Sequence, residues 1–89
     1  MEKTEKEIDV REIEQLLEEA KDSGYEVVSI LSDGSIGHYF DINTTEMDGT
    51  VSLVTVERTD VLREFESRSV SWKHFVHEFA QKIYDELNR

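Results

Sequence analysis

Four glycines and no proline are the strong backbone punctuation of this chain, and all four glycines fall between residues 24 and 49. Two of them complete the dipeptides Asp33-Gly34 and Asp48-Gly49, which suit tight hairpin turns because glycine reaches positive φ without a Cβ clash. From Tyr25 the apolar period is close to two, whereas on either side of this interval apolar residues recur every three to four positions. A chain punctuated in this way can fold as helices flanking a small antiparallel sheet. No parallel crossover is required, so the expected class is α+β, ordered α-β-β-β-α-α. The simplest arrangement is a three-stranded antiparallel meander with helices packed on one face. Residues 8–89 are expected to form one domain and residues 1–7 a charged N-terminus able to fray.

The first helix is expected at 9–23. Ile13, Leu16, Leu17 and Ala20 form its apolar stripe, with Val10 one turn earlier and glutamates at 12, 14, 18 and 19 in the other positions. Asp9 with Glu12 three residues on has the form of a capping box, and Gly24 suits the left-handed residue after a helix end. Taking Asp33-Gly34 as a two-residue loop pairs Leu31 with Ile36, Ser29 with His38, Val27 with Phe40 and Tyr25 with Ile42, all on a core-like face. The opposite face then carries Val28, Ile30 and Tyr39 beside Glu26 and Asp41. A strict loop at Asp48-Gly49 pairs Met47 with Thr50 and adds Val54 and Val56 to that second face; a longer loop would swap them. With both end helices on the core-like face, the second face is expected to be open, an apolar patch rimmed by acids. A short helix follows around Val61, Leu62 and Phe65, with Thr59 or Asp60 as its cap. Beyond a polar break at 67–71, Ser71 can cap a long helix whose stripe is Trp72, Phe75, Phe79, Ile83 and Leu87.

Charge sets the functional frame. Twenty-one acids against ten bases leave a net charge of −11, the wrong sign for binding nucleic acid or anionic lipid directly. Neither lysine nor arginine occurs between Asp22 and Glu57, while Glu26, Asp33, Asp41, Glu46 and Asp48 all lie there. Folded as a sheet, that interval becomes a negative region able to attract a basic partner over a Debye length of ~8–10 Å. The absence of cysteine removes disulfides, thiolate metal sites and a cysteine nucleophile. Together with an N-terminus lacking an apolar leader, it makes the cytoplasm the expected compartment.

No catalytic, cofactor or metal motif stands out. His74, His77 and Glu78 share a helix without the HExxH arrangement, on a side expected to face solvent, and His38 is expected on the core face opposite Ser29. Glu26 beside Asp41 could in principle pair as acid and base, but no nucleophile or phosphate-cradling loop accompanies them. Asp48-Gly49 lacks the ligand spacing of a calcium loop. Mimicry of a long DNA duplex is limited by magnitude. Duplex DNA presents one charge per ~1.7 Å, so a protein edge of roughly 25 Å would need about fifteen. Filling a short basic groove needs only a few placed carboxylates.

In general build and charge the chain resembles the small acidic inhibitors that phages and mobile elements encode against nucleases, and some bacterial immunity proteins. The likeness implies a basic, nucleic-acid-binding protein as target and transfers no functional residue. The sequence thus points to a non-enzymatic interaction module, without cofactor or metal. It is expected to inhibit a basic protein surface through Glu26, Asp33, Asp41, Glu46 and Asp48, with Tyr39 as an anchor. The alternative is an oligomeric accessory protein, a homodimer paired through its open sheet face.

Overall fold

The computed structural model describes residues 8–41 and 51–89. Its elements are α1 (Val10–Asp22), β1 (Val27–Leu31), β2 (Ile36–Tyr39), β3 (Ser52–Glu57), α2 (Arg58–Glu66) and α3 (Trp72–Leu87), the α+β order expected from the sequence. α1 begins at the capping box: Glu12 N–H donates to Asp9 Oδ1 at 3.0 Å and Asp9 N–H to Glu12 Oε1 at 3.1 Å. Its stripe of Ile13, Leu16, Leu17 and Ala20 is fully buried, and Gly24 follows the helix end at φ 85°. Ser71 caps α3 by accepting from His74 N–H at 3.1 Å. α1 lies across β1 and β3 and packs along α3, while α2 packs on β3 and α1.

The strand order is β2-β1-β3. β1, rather than β2, is central, so the expected meander is replaced by a sheet in which both other strands pair antiparallel with β1. The β1–β2 connection has three residues, Ser32, Asp33 and Gly34. Leu31 N–H donates to Ser35 C=O and Gly34 N–H to Leu31 C=O, each at 2.8 Å, and Gly34 takes φ 92°. The extra loop residue moves the register by one. Val27 faces Tyr39, Val28 faces His38, Ser29 faces Gly37 and Ile30 faces Ile36, in place of the pairs that a two-residue loop implies. A one-residue slip sends every β2 side chain to the other side. Because Gly34 occupies left-handed space, Gly34→Ala is expected to cost about 1 kcal/mol and lower the melting midpoint by roughly 4–8 °C, read by circular dichroism.

The helices cover the face opposite to the one expected. Val28 and Ile30 are fully or almost fully buried in one core cluster with Val54, Val61, Phe75, Val76, Ala80 and the α1 stripe, and Val56 packs against it. The surface through which the sequence reading would dimerise the chain is therefore the interior of the fold. Register with β3 explains this composition, since Val28 faces Val56 and Ile30 faces Val54 on that side. A bulge between Ile30 and Leu31 then sets Leu31 against Ser52. On the other side Ser29 is fully buried, and its hydroxyl is satisfied by the Thr55 hydroxyl at 2.8 Å. Tyr39 lies over Gly37 there: a Cβ built on Gly37 would come within 2.5 Å of the Tyr39 hydroxyl and 2.8 Å of its ring. The Asp48-Gly49 turn and the Met47–Thr50 pair lie outside the described residues.

α2 starts directly from β3, with Glu57 at its N-cap. The caps expected from sequence, Thr59 and Asp60, are inside the helix. Glu57 gives no side-chain cap; instead Arg58 N–H donates to Glu26 C=O at 2.6 Å and Thr59 N–H to the Glu26 carboxylate at 3.2 Å. The segment entering β1 thus supplies the acceptors that the first turn of α2 lacks, and places a negative charge at its positive end.

Candidate interaction surface

Much of the acidity of α1 is engaged inside the fold. Trp72 Nε1–H donates to Glu18 at 3.0 Å, His77 Nδ1 lies 3.3 Å from Glu14, and His38 Nε2 lies 2.9 Å from Glu19. These contacts tie α1 to α3 and to β2. Lys21 sits over the Trp72 ring, 5.3 Å from its centroid. Between α2 and α3, Arg68 spans Glu64 at 2.7 Å and Glu78 at 3.9 Å while its guanidinium covers Phe75 and Phe79. The Glu64 carboxyl is held below its ordinary range chiefly by the hydrogen bond from Arg68. These partly exposed contacts contribute geometry more than stability, since exposed ion pairs are worth ~0–1 kcal/mol.

The two-helix groove between α1 and α3, about 910 Å³, has Arg11, Lys73, His74 and His77 along its walls with Glu14 and Glu18. Its mixed signs make it a poor seat for a basic partner. His74 pairs with Glu78 at 3.1 Å on the exposed side of α3, as its spacing implied. No group of three metal-ligating side chains converges among the described residues, and no described helix is long and apolar enough to cross a membrane.

The sheet region has a different character. Asp33 is exposed at the tip of the β1–β2 hairpin, accepting from Ser35 N–H at 2.9 Å and from the Ser35 hydroxyl at 2.6 Å. The hydroxyl bond, then the backbone bond, lowers its pKa below the usual aspartate value. A carboxylate with a lowered folded-state pKa stabilises the turn at neutral pH and loses that contribution as the pH falls through the lowered value. Asp33 is therefore ionised at neutral pH, where lysine and arginine are charged.

At the other end of the hairpin, about 15 Å away by strand rise, stand Tyr25, His38, Phe40 and Asp41. Phe40 is 78% exposed, and the Tyr25 ring contacts both Phe40 at 5.1 Å and His38 at 5.4 Å between centroids. Asp41, next to Phe40, is exposed. The residues expected to bind a partner thus separate. Asp33 and Asp41 lie at opposite ends of the hairpin, Glu26 caps α2, and Tyr39 covers Gly37. Glu46 and Asp48 lie outside the described residues. Phe40 was expected in the core and His38 on the core face opposite Ser29. The register shift puts His38 opposite Val28, exposed and bound to Glu19. The exposed aromatic is thus one residue from the tyrosine singled out by sequence. Only the length of the turn, three residues instead of two, separates the two assignments.

No protein-family model, curated protein or solved structure matches this chain.

Proposed function

We propose that this protein is a small acidic interaction module that binds and inhibits a basic, nucleic-acid-binding protein by occupying a short stretch of its cationic surface. The observation that carries the reading is the interval from Ser23 to Glu57, which holds no lysine or arginine. Its described part forms a sheet with exposed carboxylates at both ends of one hairpin and a solvent-exposed phenylalanine between Tyr39 and Asp41. The bases are carried by the helices or by segments outside the sheet, so a basic partner approaching the hairpin meets no like charge from it. Carboxylates at such spacing suit steering and register, whereas an exposed aromatic ring supplies the buried area that charge alone does not.

The test presents immobilised protein with the heparin-retained protein fraction of its source cells. Capture of a discrete partner at low salt, its release at high salt, and loss of that partner's nucleic-acid binding when free module is added are the expected results. Salt-insensitive capture, or capture that leaves nucleic-acid binding intact, contradicts the reading.

A further inference from the structure

A second recess lies between β3 and the C-terminal half of α3. About 300 Å³ in volume, it is at the low end of the ~300–1,000 Å³ range of ligand clefts, a size for one or two side chains rather than a cofactor. Its apolar lining is Val56, Val61, Phe79 and Ile83, and its acidic members are Glu57 and Asp60. No base among the described residues lines it. Leu87, one turn beyond Ile83 on α3, is 45% exposed and extends the apolar strip away from the cleft. Asp60 is shared with Arg63 at 3.1 Å, but the Glu57 carboxylate has no hydrogen bond or ion pair among the described residues.

The stripe of α3 explains how the cleft arises. Along it Phe75, Val76 and Ala80 are spent on the core, with Trp72 packed against them. Phe79 and Ile83 are only partly buried, and Leu87 is exposed. A helix of 16 residues runs about 24 Å, whereas the 13 residues of α1 run about 20 Å, so among the described residues α1 is too short to line the whole of α3.

We propose that this cleft receives an aliphatic or aromatic side chain flanked by lysine or arginine, presented by the basic partner inferred above. This rests on that reading and adds to it where the partner's apolar residue goes. Apolar walls stabilise the inserted side chain by removing it from water, while Glu57 and Asp60 meet the flanking cations at the rim. A second copy of the chain is disfavoured as the occupant. A two-fold contact places each patch against itself, setting Glu57 and Asp60 against their own counterparts in two molecules of charge −11.

The test is selection of a displayed random dodecapeptide library on the folded protein, repeated on Leu87→Glu and on the double variant Ile83→Gln with Leu87→Gln. Peptides combining large apolar residues with lysine or arginine should be enriched. Synthetic versions should bind about tenfold or more weakly to Leu87→Glu, which alters an exposed position and keeps the melting midpoint. Amide shifts on binding should map to 55–61 and 79–87. Enrichment of lysine and arginine without apolar residues, binding equally to all variants, overturns the cleft and leaves the acidic module standing. No enrichment of basic peptides at all overturns both. Concentration-dependent dimerisation removed by Leu87→Glu overturns the assignment of a foreign partner.

Discussion

Val28→Asp will leave the chain without a cooperative thermal transition, whereas Phe40→Asp will melt within a few degrees of the parent. Val28 is fully buried at the centre of the sheet, facing His38 on one neighbour and Val56 on the other, beneath the helices. An aspartate there must be desolvated against a core cluster that is apolar and holds no lysine or arginine. Such a change costs several kcal/mol. A domain of this length has a stability of roughly 5–13 kcal/mol in total. Phe40, by contrast, is 78% exposed, and its replacement disturbs mainly the contact with Tyr25. Circular dichroism melting of the two variants separates this fold from one in which the Val28 face is open and Phe40 lies in the core, since that arrangement predicts the reverse order.

The second large effect concerns association rate. Neutralising Asp33, Asp41, Glu46 and Asp48 together, by Asn at the aspartates and Gln at Glu46, changes the net charge from −11 to −7. It removes four of the six acids in the cation-free interval from Ser23 to Glu57. Electrostatic steering raises on-rates by about 10–1,000-fold. The variant should therefore associate with the basic partner about 10–100-fold more slowly at low salt, with the difference fading at high salt. Phe40→Ala should act mainly through faster dissociation, because a contact ring enters the balance after docking. Stopped-flow or surface-binding kinetics at two ionic strengths distinguishes the two. An association rate unchanged in the fourfold variant would show that the missing lysines and arginines serve solubility instead of recognition.

The helices were legible because their signals are local. The α1 capping box, the Ser71 cap of α3 and the stripes of both helices lie within a few residues of the bonds they make. The sheet was legible in class but not in topology. Nothing local distinguishes a third strand pairing with β2 from one pairing with β1, because Val51, Leu53, Val54 and Val56 place apolar residues on both sides of that strand. The face error follows from one loop residue. Ser32 belongs to the turn, Gly34 takes the left-handed position that closes it, and every β2 side chain changes sides. Glu26 shows a different limit. Its carboxylate answers an unpaired N–H of a helix more than thirty residues later, and sequence could present it only as an exposed acid.

The role of the acidic interval is also narrower than its composition suggests. Glu26 caps α2 and so serves the fold, as do Glu14, Glu18 and Glu19 on α1 outside the interval, which hold Trp72 and two histidines. Among the described residues of the hairpin, Asp33 stands at one end and Asp41 beside Phe40 at the other. That is too sparse to imitate a duplex, with its charge every ~1.7 Å, and is suited to a short cationic stretch.

Hydrogen exchange on the complex with its captured partner tests the central claim most directly. Slowed exchange in 25–41 and 51–61, with the α1–α3 groove around Arg11, Lys73 and His77 unchanged, is the result this account predicts. Protection centred on that groove, with the hairpin exchanging as in the free protein, would contradict it.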